Sequence, residues 1–298
     1  MDIKKLIERL DDEIVKTQEG VEQAQSLSRL KEIYTTYNGD DKLVSSKDIY
    51  ERIKNEPEEF NIKTGWSNFD SIIKGFRLKQ LVTVSGITKH GKTSWCVSLT
   101  EKFKEHNPLW ISLEESPEEL VRKFVDRKQE PPLFYSSEVN TLYQTEWIET
   151  KIIESIAKYG TKVVFVDQLD FIVSLKSESH HLAIGQAVRD LKQMAKKWNV
   201  VIFLICHLRK ADLYKNPDLN ELKGSGSIAG ESDTVILIWR ETENINGEVV
   251  STNNTNVSIQ ANRRFGTTGN VKMVFENGTY LERDFVPAHQ RIAEFEDF

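Results

Sequence analysis

Cysteine is nearly missing from this chain of 298 residues: there are two, Cys96 and Cys206, each among apolar neighbours. Two cannot build a disulfide framework or a cysteine-rich zinc module, so both are expected in the core of a reduced, intracellular protein. Long apolar runs are missing too, and nothing approaches the roughly 20 residues that a membrane-crossing helix needs. The opening Met1-Asp2-Ile3-Lys4-Lys5 is no secretory signal, and its early acids argue against a mitochondrial presequence. No basic surplus exists either: 40 Lys and Arg stand against 46 Asp and Glu, a net charge of −6. That argues against a basic coat for nucleic acid but leaves room for nucleic acid held in a few local loops. There is no internal repeat and no low-complexity tract. What is present, 39% hydrophobic and 29% charged residues, suits a globular chain of one large α/β domain or two small ones.

Residues 1–60 read as a small N-terminal helical segment. Ile3, Leu6, Ile7, Leu10 and Ile14 fall at helical spacing, a packing face for a core or a partner subunit. Tyr37–Asp41 reads as a turn or linker, and Ser46 is placed to cap a short helix bearing Ile49, Tyr50 and Ile53. From about Asn61, apolar runs alternate with amphipathic stretches. Leu81–Val84, Leu109–Ser112, Val163–Val166, Val200–Ile205 and Val235–Trp239 read as buried strands, and Ile184, Val188, Leu191, Ala195 and Trp198 as one helix face. Such alternation predicts a mostly parallel sheet flanked by helices. Near the end, Val271–Glu276 and Thr279–Glu282 flank Asn277-Gly278, which predicts a C-terminal β-hairpin with a two-residue turn.

The strongest chemical signal is Gly86-Ile87-Thr88-Lys89-His90-Gly91-Lys92-Thr93, with Ser94 following. It matches the phosphate-binding pattern G-x-x-x-x-G-K-[ST] after a buried strand and before a helix. The glycines let backbone N–H groups wrap phosphates at a helix N-terminus. Lys92 would reach the β- and γ-phosphates, and Thr93 would ligate Mg²⁺. Asp167, closing Lys162–Val166, suits the second Mg²⁺-side carboxylate; an ordinary strand-end acid is the plain alternative, and Asp170 a weaker substitute. Glu114, with Glu115 beside it, follows a predicted strand where a carboxylate would polarise the attacking water. First-turn acids of a helix would look the same.

Five segments, in order, carry a resemblance. Thr64–Asp70, Ser112–Ser116 and Leu222–Ile228 resemble the RecA-fold domain of DnaB-type replicative helicases. Ile205–Lys210 and Asn262–Gly269 resemble, within it, the phage helicase–primase and Twinkle branch. The likeness runs from about Asn61 to Asp284. It implies a RecA-like P-loop NTPase at 61–285, a helicase dependent on ATP or another nucleoside triphosphate and on Mg²⁺, that rings single-stranded DNA as a homo-oligomer, a hexamer, in the cytoplasm of a bacterial or phage-infected cell.

The resemblance also implies roles. Glu114 becomes the catalytic base, His207 the γ-phosphate sensor and Arg264 an arginine finger received by a neighbouring subunit. Arg240 and Phe275 would sandwich the nucleotide base, although Phe275 reads equally as a core residue. Leu208–Gly226 matches the loop that holds single-stranded DNA, with Lys210, Lys215 and Lys223 toward phosphates and Gly224, Ser225 and Gly226 allowing close approach. Ser46–Lys54 matches a linker helix that docks on the adjacent subunit. Residues 286–298 read as an acidic-aromatic tail ending Glu294-Phe295-Glu296-Asp297-Phe298, of the kind that docks on a DNA polymerase or another replisome protein; a disordered solubilising end is the plain alternative. Two departures stand out. Asn262 occupies a position where the family usually has Lys, so Arg263 compensates or hydrolysis is weakened, and the chain is too short to include a primase. Two other readings stay open: a RecA/RadA-type strand-exchange ATPase, and a helicase-like ring or loader that uses nucleotide as an assembly switch.

Overall fold

The structure, a computed structural model, describes residues 8–9, 25, 27–32, 43–55, 60–126, 130–138, 144–172, 180–208, 217, 221, 225–245 and 248–283. The chain divides into two units, 1–59 and 60–298. In the first, helix α1 spans Ser46–Asn55. Its cap is Ser45 rather than the expected Ser46. The Ser45 hydroxyl accepts from the Asp48 N–H at 3.1 Å, and the Asp48 carboxylate accepts from the Ser45 N–H at 3.3 Å. An acid three residues after a serine makes this reciprocal exchange, so Asp48 decides which serine caps. Ile49, Tyr50 and Ile53 are exposed on this helix. The stripe Ile3, Leu6, Ile7, Leu10 and Ile14 and the Tyr37–Asp41 turn lie outside the described residues.

The second unit runs β1 (Asn61–Ile62), α2 (Ser67–Ile73), β2 (Phe76–Arg77), β3 (Leu81–Gly86), α3 (Lys92–Lys102), β4 (Leu109–Ser112), α4 (Pro117–Val125) and β5 (Tyr135–Ser136). It continues with α5 (Thr145–Tyr159), β6 (Val163–Asp167), α6 (Leu169–Ile172), α7 (His180–Lys197), β7 (Val201–His207) and α8 (Ser225–Glu231). It closes with β8 (Thr234–Ile245), β9 (Glu248–Asn262), β10 (Gly269–Glu276) and β11 (Thr279–Glu282). Among the described residues, nine strands form one sheet in the order β11-β10-β9-β8-β3-β7-β6-β4-β5. Pairing is parallel from β8 through β3, β7, β6 and β4 to β5, and antiparallel from β8 through β9 and β10 to β11.

Alternation explains the two cores. In β7, Val201, Phe203 and Ile205 face one cluster with Trp95 and Leu99 of α3, while Ile202, Leu204 and Cys206 face another with Val188 and Leu191 of α7. A strand buried on both faces must be apolar at nearly every position, which is why these strands read as continuous runs. In-register Trp110, Phe165 and Phe203 stack across β4, β6 and β7 with ring centroids 4.7 and 5.0 Å apart. Both cysteines are free and buried, as expected; burial pushes the Cys206 thiol up to about 12. The hairpin forms as read, with Asn277 and Gly278 at φ 49° and 79°. The long β9 and the helix α5 are additions to the sequence reading. Among the described residues no helix is long and apolar enough to cross a membrane.

Candidate functional site

The parallel strands end on one edge of the sheet, and the predicted site assembles there. Strand β3 ends at Gly86 beside Ile238 of β8. A Cβ on Gly86 would lie 1.9 Å from the Ile238 carbonyl oxygen, so only glycine lets the loop leave the sheet this close to β8. Ile87, Thr88, Lys89, His90 and Gly91 then turn into α3, with Lys89 and Gly91 at φ 65° and 90°. Gly91 sits at the N-cap position, and Lys92, Thr93 and Ser94 form the first turn of the helix.

Lys92 is buried, and its Nζ donates to the carbonyls of Gly86 and Ile87 at 3.2 and 3.1 Å. Burial lowers its pKa, opposed by nearby Cys206, Asp167, Glu114 and Asp170. The loop thus holds a cation against its own backbone, where an incoming polyphosphate would be a stronger acceptor.

The Thr93 hydroxyl donates to Asp167 Oδ2 at 2.8 Å, joining residues that lie 74 apart in the chain. Asp167 ends β6, is 1% exposed and keeps Oδ1 buried without a hydrogen-bond partner. Burial pushes its carboxyl up to about 7; the Thr93 hydroxyl opposes this, while the charges of Glu114 and Glu115 add to it. An orphaned carboxylate oxygen beside a hydroxyl is a hard oxygen donor set, which suits Mg²⁺ shared with substrate phosphates.

Glu114 and Glu115 follow β4 and part company. Glu115 is held by Lys123 at 2.9 Å and by its N–H to the Ser112 hydroxyl at 3.1 Å. Glu114 is exposed, holds no hydrogen bond or ion pair among the described residues, and acts by charge on both Lys92 and Asp167. His207, the last residue of β7, places Nδ1 3.5 Å from the Thr88 hydroxyl of the loop. Arg240 lies over the Phe275 ring at 5.5 Å, and Phe275 lies 4.9 Å from Tyr280.

One predicted residue is elsewhere. Arg264 is in the turn after β9, whose last residue, Asn262, pairs with Thr234 at the start of β8. Thr234 in turn pairs with Val82, four residues before Gly86. At about 3.3 Å per residue, the turn stands some 13 Å along the sheet from its own phosphate loop, on the opposite edge. There the Arg264, Lys74 and Arg77 side chains gather round the Phe265 ring at 5.4, 4.7 and 5.2 Å. Asn262 is buried and donates to the Thr267 hydroxyl at 3.0 Å, which donates to the Ile72 carbonyl at 2.6 Å. Arg263 donates to the Gly230 carbonyl at the end of α8. Here Asn262 braces the turn.

The family model described as the DnaB-like helicase C terminal domain matches residues 61–147 and 134–281. This chain belongs to that family. It is 24% identical over 277 residues to the "Probable replicative DNA helicase" of Trieres chinensis, covering 78% of this chain and 60% of that protein. It is also 24% identical over 236 residues to the "Replicative DNA helicase DnaB" of Rickettsia typhi, covering 65% and 48%. The chain therefore spans about half to three fifths of these relatives. A solved ATPase domain superposes with a TM-score of 0.65 at 19% identity, covering 80% of this chain and 97% of that one. A DnaB-like replicative helicase solved with its interactions with primase gives 0.65 at 19%, covering 94% and 76%. A KaiC-like protein from Pyrococcus horikoshii gives 0.58 at 17%, covering 76% and 100%. The core is the RecA-like α/β fold that the motifs implied. The narrower likeness to phage helicase–primases and Twinkle rests on the motifs alone.

Lys210, Lys215, Lys223, Gly224 and the tail at 286–298 lie outside the described residues. Ser225 and Gly226 open α8. Sequence reasoning missed two site residues: Tyr280, whose hydroxyl donates to the Gly91 carbonyl at 3.4 Å, and Gln168, buried after Asp167 with Oε1 unpartnered. Tyr280 falls on the same strand face as the loop only once the hairpin register is fixed, which local pattern does not reveal. Gln168 had a signal, its adjacency to Asp167.

Proposed function

We propose that this chain is an ATP-dependent DNA helicase motor. The observation that carries the reading is the Thr93–Asp167 pair beneath a buried Lys92, in a member of the DnaB-like helicase family. Lys92 would exchange its backbone partners for the β- and γ-phosphates of ATP, and α3 would present its first N–H groups to them. Thr93 and Asp167 would hold Mg²⁺, which supplies charge neutralisation on the phosphate oxygens when bound. Glu114, unencumbered beside the braced Glu115, would orient a water for in-line attack and accept its proton, and His207 would report the γ-phosphate through Thr88. The direct test compares DNA-stimulated ATP hydrolysis and forked-duplex unwinding by the full chain. Hydrolysis without unwinding would favour a strand-exchange ATPase, and nucleotide binding without turnover an assembly switch. The switch reading has one observation behind it, Asn262 where the family usually has Lys.

Arg264 would complete a site on another copy, because it stands on the far edge from its own loop. This supports a ring of identical subunits, a hexamer, with 61–285 as motor and 1–60 as a helical segment whose Ser46–Lys54 helix docks on a neighbour. The 208–226 loop would line a channel holding single-stranded DNA through Lys210, Lys215 and Lys223. A few lysines per subunit, summed over a ring, give salt-dependent affinity without a basic exterior. The tail, with its acids and Phe295 and Phe298, would recruit a polymerase or another replisome protein. Deleting Glu294–Phe298 should weaken coupled strand-displacement synthesis and leave solo unwinding intact; equal loss of both would remove the docking role.

A further inference from the structure

We propose that His90 couples the base-holding end of this site to its phosphate-holding end. The proposal rests on the nucleotide reading above and concerns how that nucleotide is recognised. Ile238 is the last residue of β8 paired with β3. Two residues on, the N–H of Arg240 points to the same edge of the strand, where β3 has already turned away. The imidazole of His90 takes that place in the ladder: its Nδ1 accepts the Arg240 N–H at 3.0 Å. Accepting at Nδ1 leaves the ring's proton on Nε2 and requires a neutral imidazole. His90 is 4% exposed. Burial, with the neighbouring charges of Lys92 and Arg240, holds its pKa below the ordinary histidine value.

Arg240 therefore has two attachments. Its backbone N–H anchors the phosphate loop, and its guanidinium lies over Phe275 and reaches Asn253 Oδ1 at 3.3 Å. Phe275 packs on Tyr280, whose hydroxyl meets the next loop residue, Gly91. His90 and Gly91 are thus both tied to the strands that carry the base clamp. The loop needs outside anchors, because Lys89 adopts φ 65° without being glycine, a conformation that surrounding structure must over-determine. Arg240 and Phe275 face each other and must part to admit a base. Movement of β8 at Arg240 is then felt directly by the loop whose N–H groups face the phosphates. His90 is a positioning residue: it acts through Arg240 and the loop backbone rather than on the reacting atoms.

The test compares ligands that do and do not carry a base. Calorimetry on the full chain measures the affinities of ATP and of inorganic tripolyphosphate, each with Mg²⁺, for wild type, His90→Leu and His90→Asn. The preference for ATP over tripolyphosphate should shrink about tenfold in His90→Leu, within the usual range of coupling between sites. Asn Oδ1 can accept in place of Nδ1, so His90→Asn should return most of it. In an Arg240→Ala background, which keeps the N–H but removes the clamp, His90→Leu should no longer change the preference. Equal loss of both ligands in His90→Leu, or an unchanged effect in the Arg240→Ala background, would overturn the coupling and leave the nucleotide reading standing. Wild type binding neither ligand would overturn both. Should His90→Leu fail to fold, ring-nitrogen NMR of wild type decides. The His90 signals should show the Nε2–H tautomer and move with ATP more than with tripolyphosphate; identical responses would refute the proposal.

Discussion

In the parallel half of the sheet, β3 is buried at every position and β7 at every position but His207, whereas β10 in the antiparallel half alternates between solvent and core from Asn270 to Met273. The difference follows from what covers each strand: helices lie on both faces of the first and on fewer of the second. It also divides the chemistry. The ends of β3, β4, β6 and β7 supply Lys92, Glu114, Asp167 and His207 to one edge. Strands β8, β10 and β11 supply Arg240, Phe275 and Tyr280, and the β9–β10 turn carries Arg264 to the far edge. On the proposed reading the parallel half would govern the rate of hydrolysis, the base clamp would govern affinity, and the finger turn would serve a second copy.

The largest effect expected tests the last of these. Arginine fingers stabilise charge on a transferring phosphate by a factor of roughly 10³–10⁵ in rate. Arg264→Ala should therefore lose activity on that scale, and so should Lys92→Ala. Mixing the two inactive proteins should restore part of it, since some interfaces then hold an intact Lys92 from one copy and an intact Arg264 from the other. If no mixture recovers while assembly is unchanged, the finger does not act between copies, and the two edges of the sheet are independent.

Next comes the pair after β4. General acid–base groups contribute about 10²–10⁴ in rate. Glu114→Gln should lose turnover on that scale while ATP still binds. Glu115→Gln should cost hydrolysis far less, because the half-buried Glu115 carboxylate is held by Lys123 at 2.9 Å. Single-turnover kinetics with ATP measures both, and equal effects would break the assignment of the base to Glu114.

How far the sequence foretold this arrangement follows the same division. Doubly covered strands advertise themselves as apolar runs, so β3, β4, β6 and β7 were legible, and the phosphate loop was legible because its chemistry is local. Thr93 was legible from the loop pattern and Asp167 from the end of its strand, while the hydrogen bond that joins them is seen only in the structure. Strand β9 was not legible, since Asn254 and Asn256 are poor strand formers held in place by pairing, Asn254 with β10 and Asn256 with both β8 and β10. The bond from Arg240 to His90 spans 150 residues and puts a side chain where a strand would be. No local periodicity encodes that. Ser45 was missed for a smaller reason: two adjacent serines both suit a cap, and only Asp48 separates them.

Affinity would be the antiparallel half's share. Base–aromatic stacking contributes about 1–3 kcal/mol by alanine substitution, so Phe275→Ala should raise the KM for ATP roughly 5- to 150-fold with kcat little changed. A fall in kcat with KM unmoved would show that the clamp belongs to the hydrolytic edge after all.

The smallest effect concerns Tyr280. Its hydroxyl meets the Gly91 carbonyl at 3.4 Å, long for a hydrogen bond between neutral groups. A net hydrogen bond contributes about 0.5–1.5 kcal/mol, and this length argues for the low end. The ring itself is a larger matter, since Tyr280 is 1% exposed and packs in the core. Tyr280→Phe keeps that packing and removes only the hydroxyl, and space is no obstacle, because the loop contact is made by the oxygen. Tyr280→Phe should therefore raise the KM for ATP two- to threefold, leave kcat alone and leave thermal stability within about 1 kcal/mol. Gly91→Ala approaches the same contact from the other side: its Cβ would fall 2.1 Å from the Tyr280 oxygen, at a φ of 90°. In wild type that substitution meets both the clash and the backbone strain, and with Tyr280→Phe only the strain. The double variant should then bind ATP better than Gly91→Ala alone. If removing the hydroxyl brings no recovery, strain alone accounts for the glycine, and the sheet holds the loop through His90 and Arg240 and not through Tyr280.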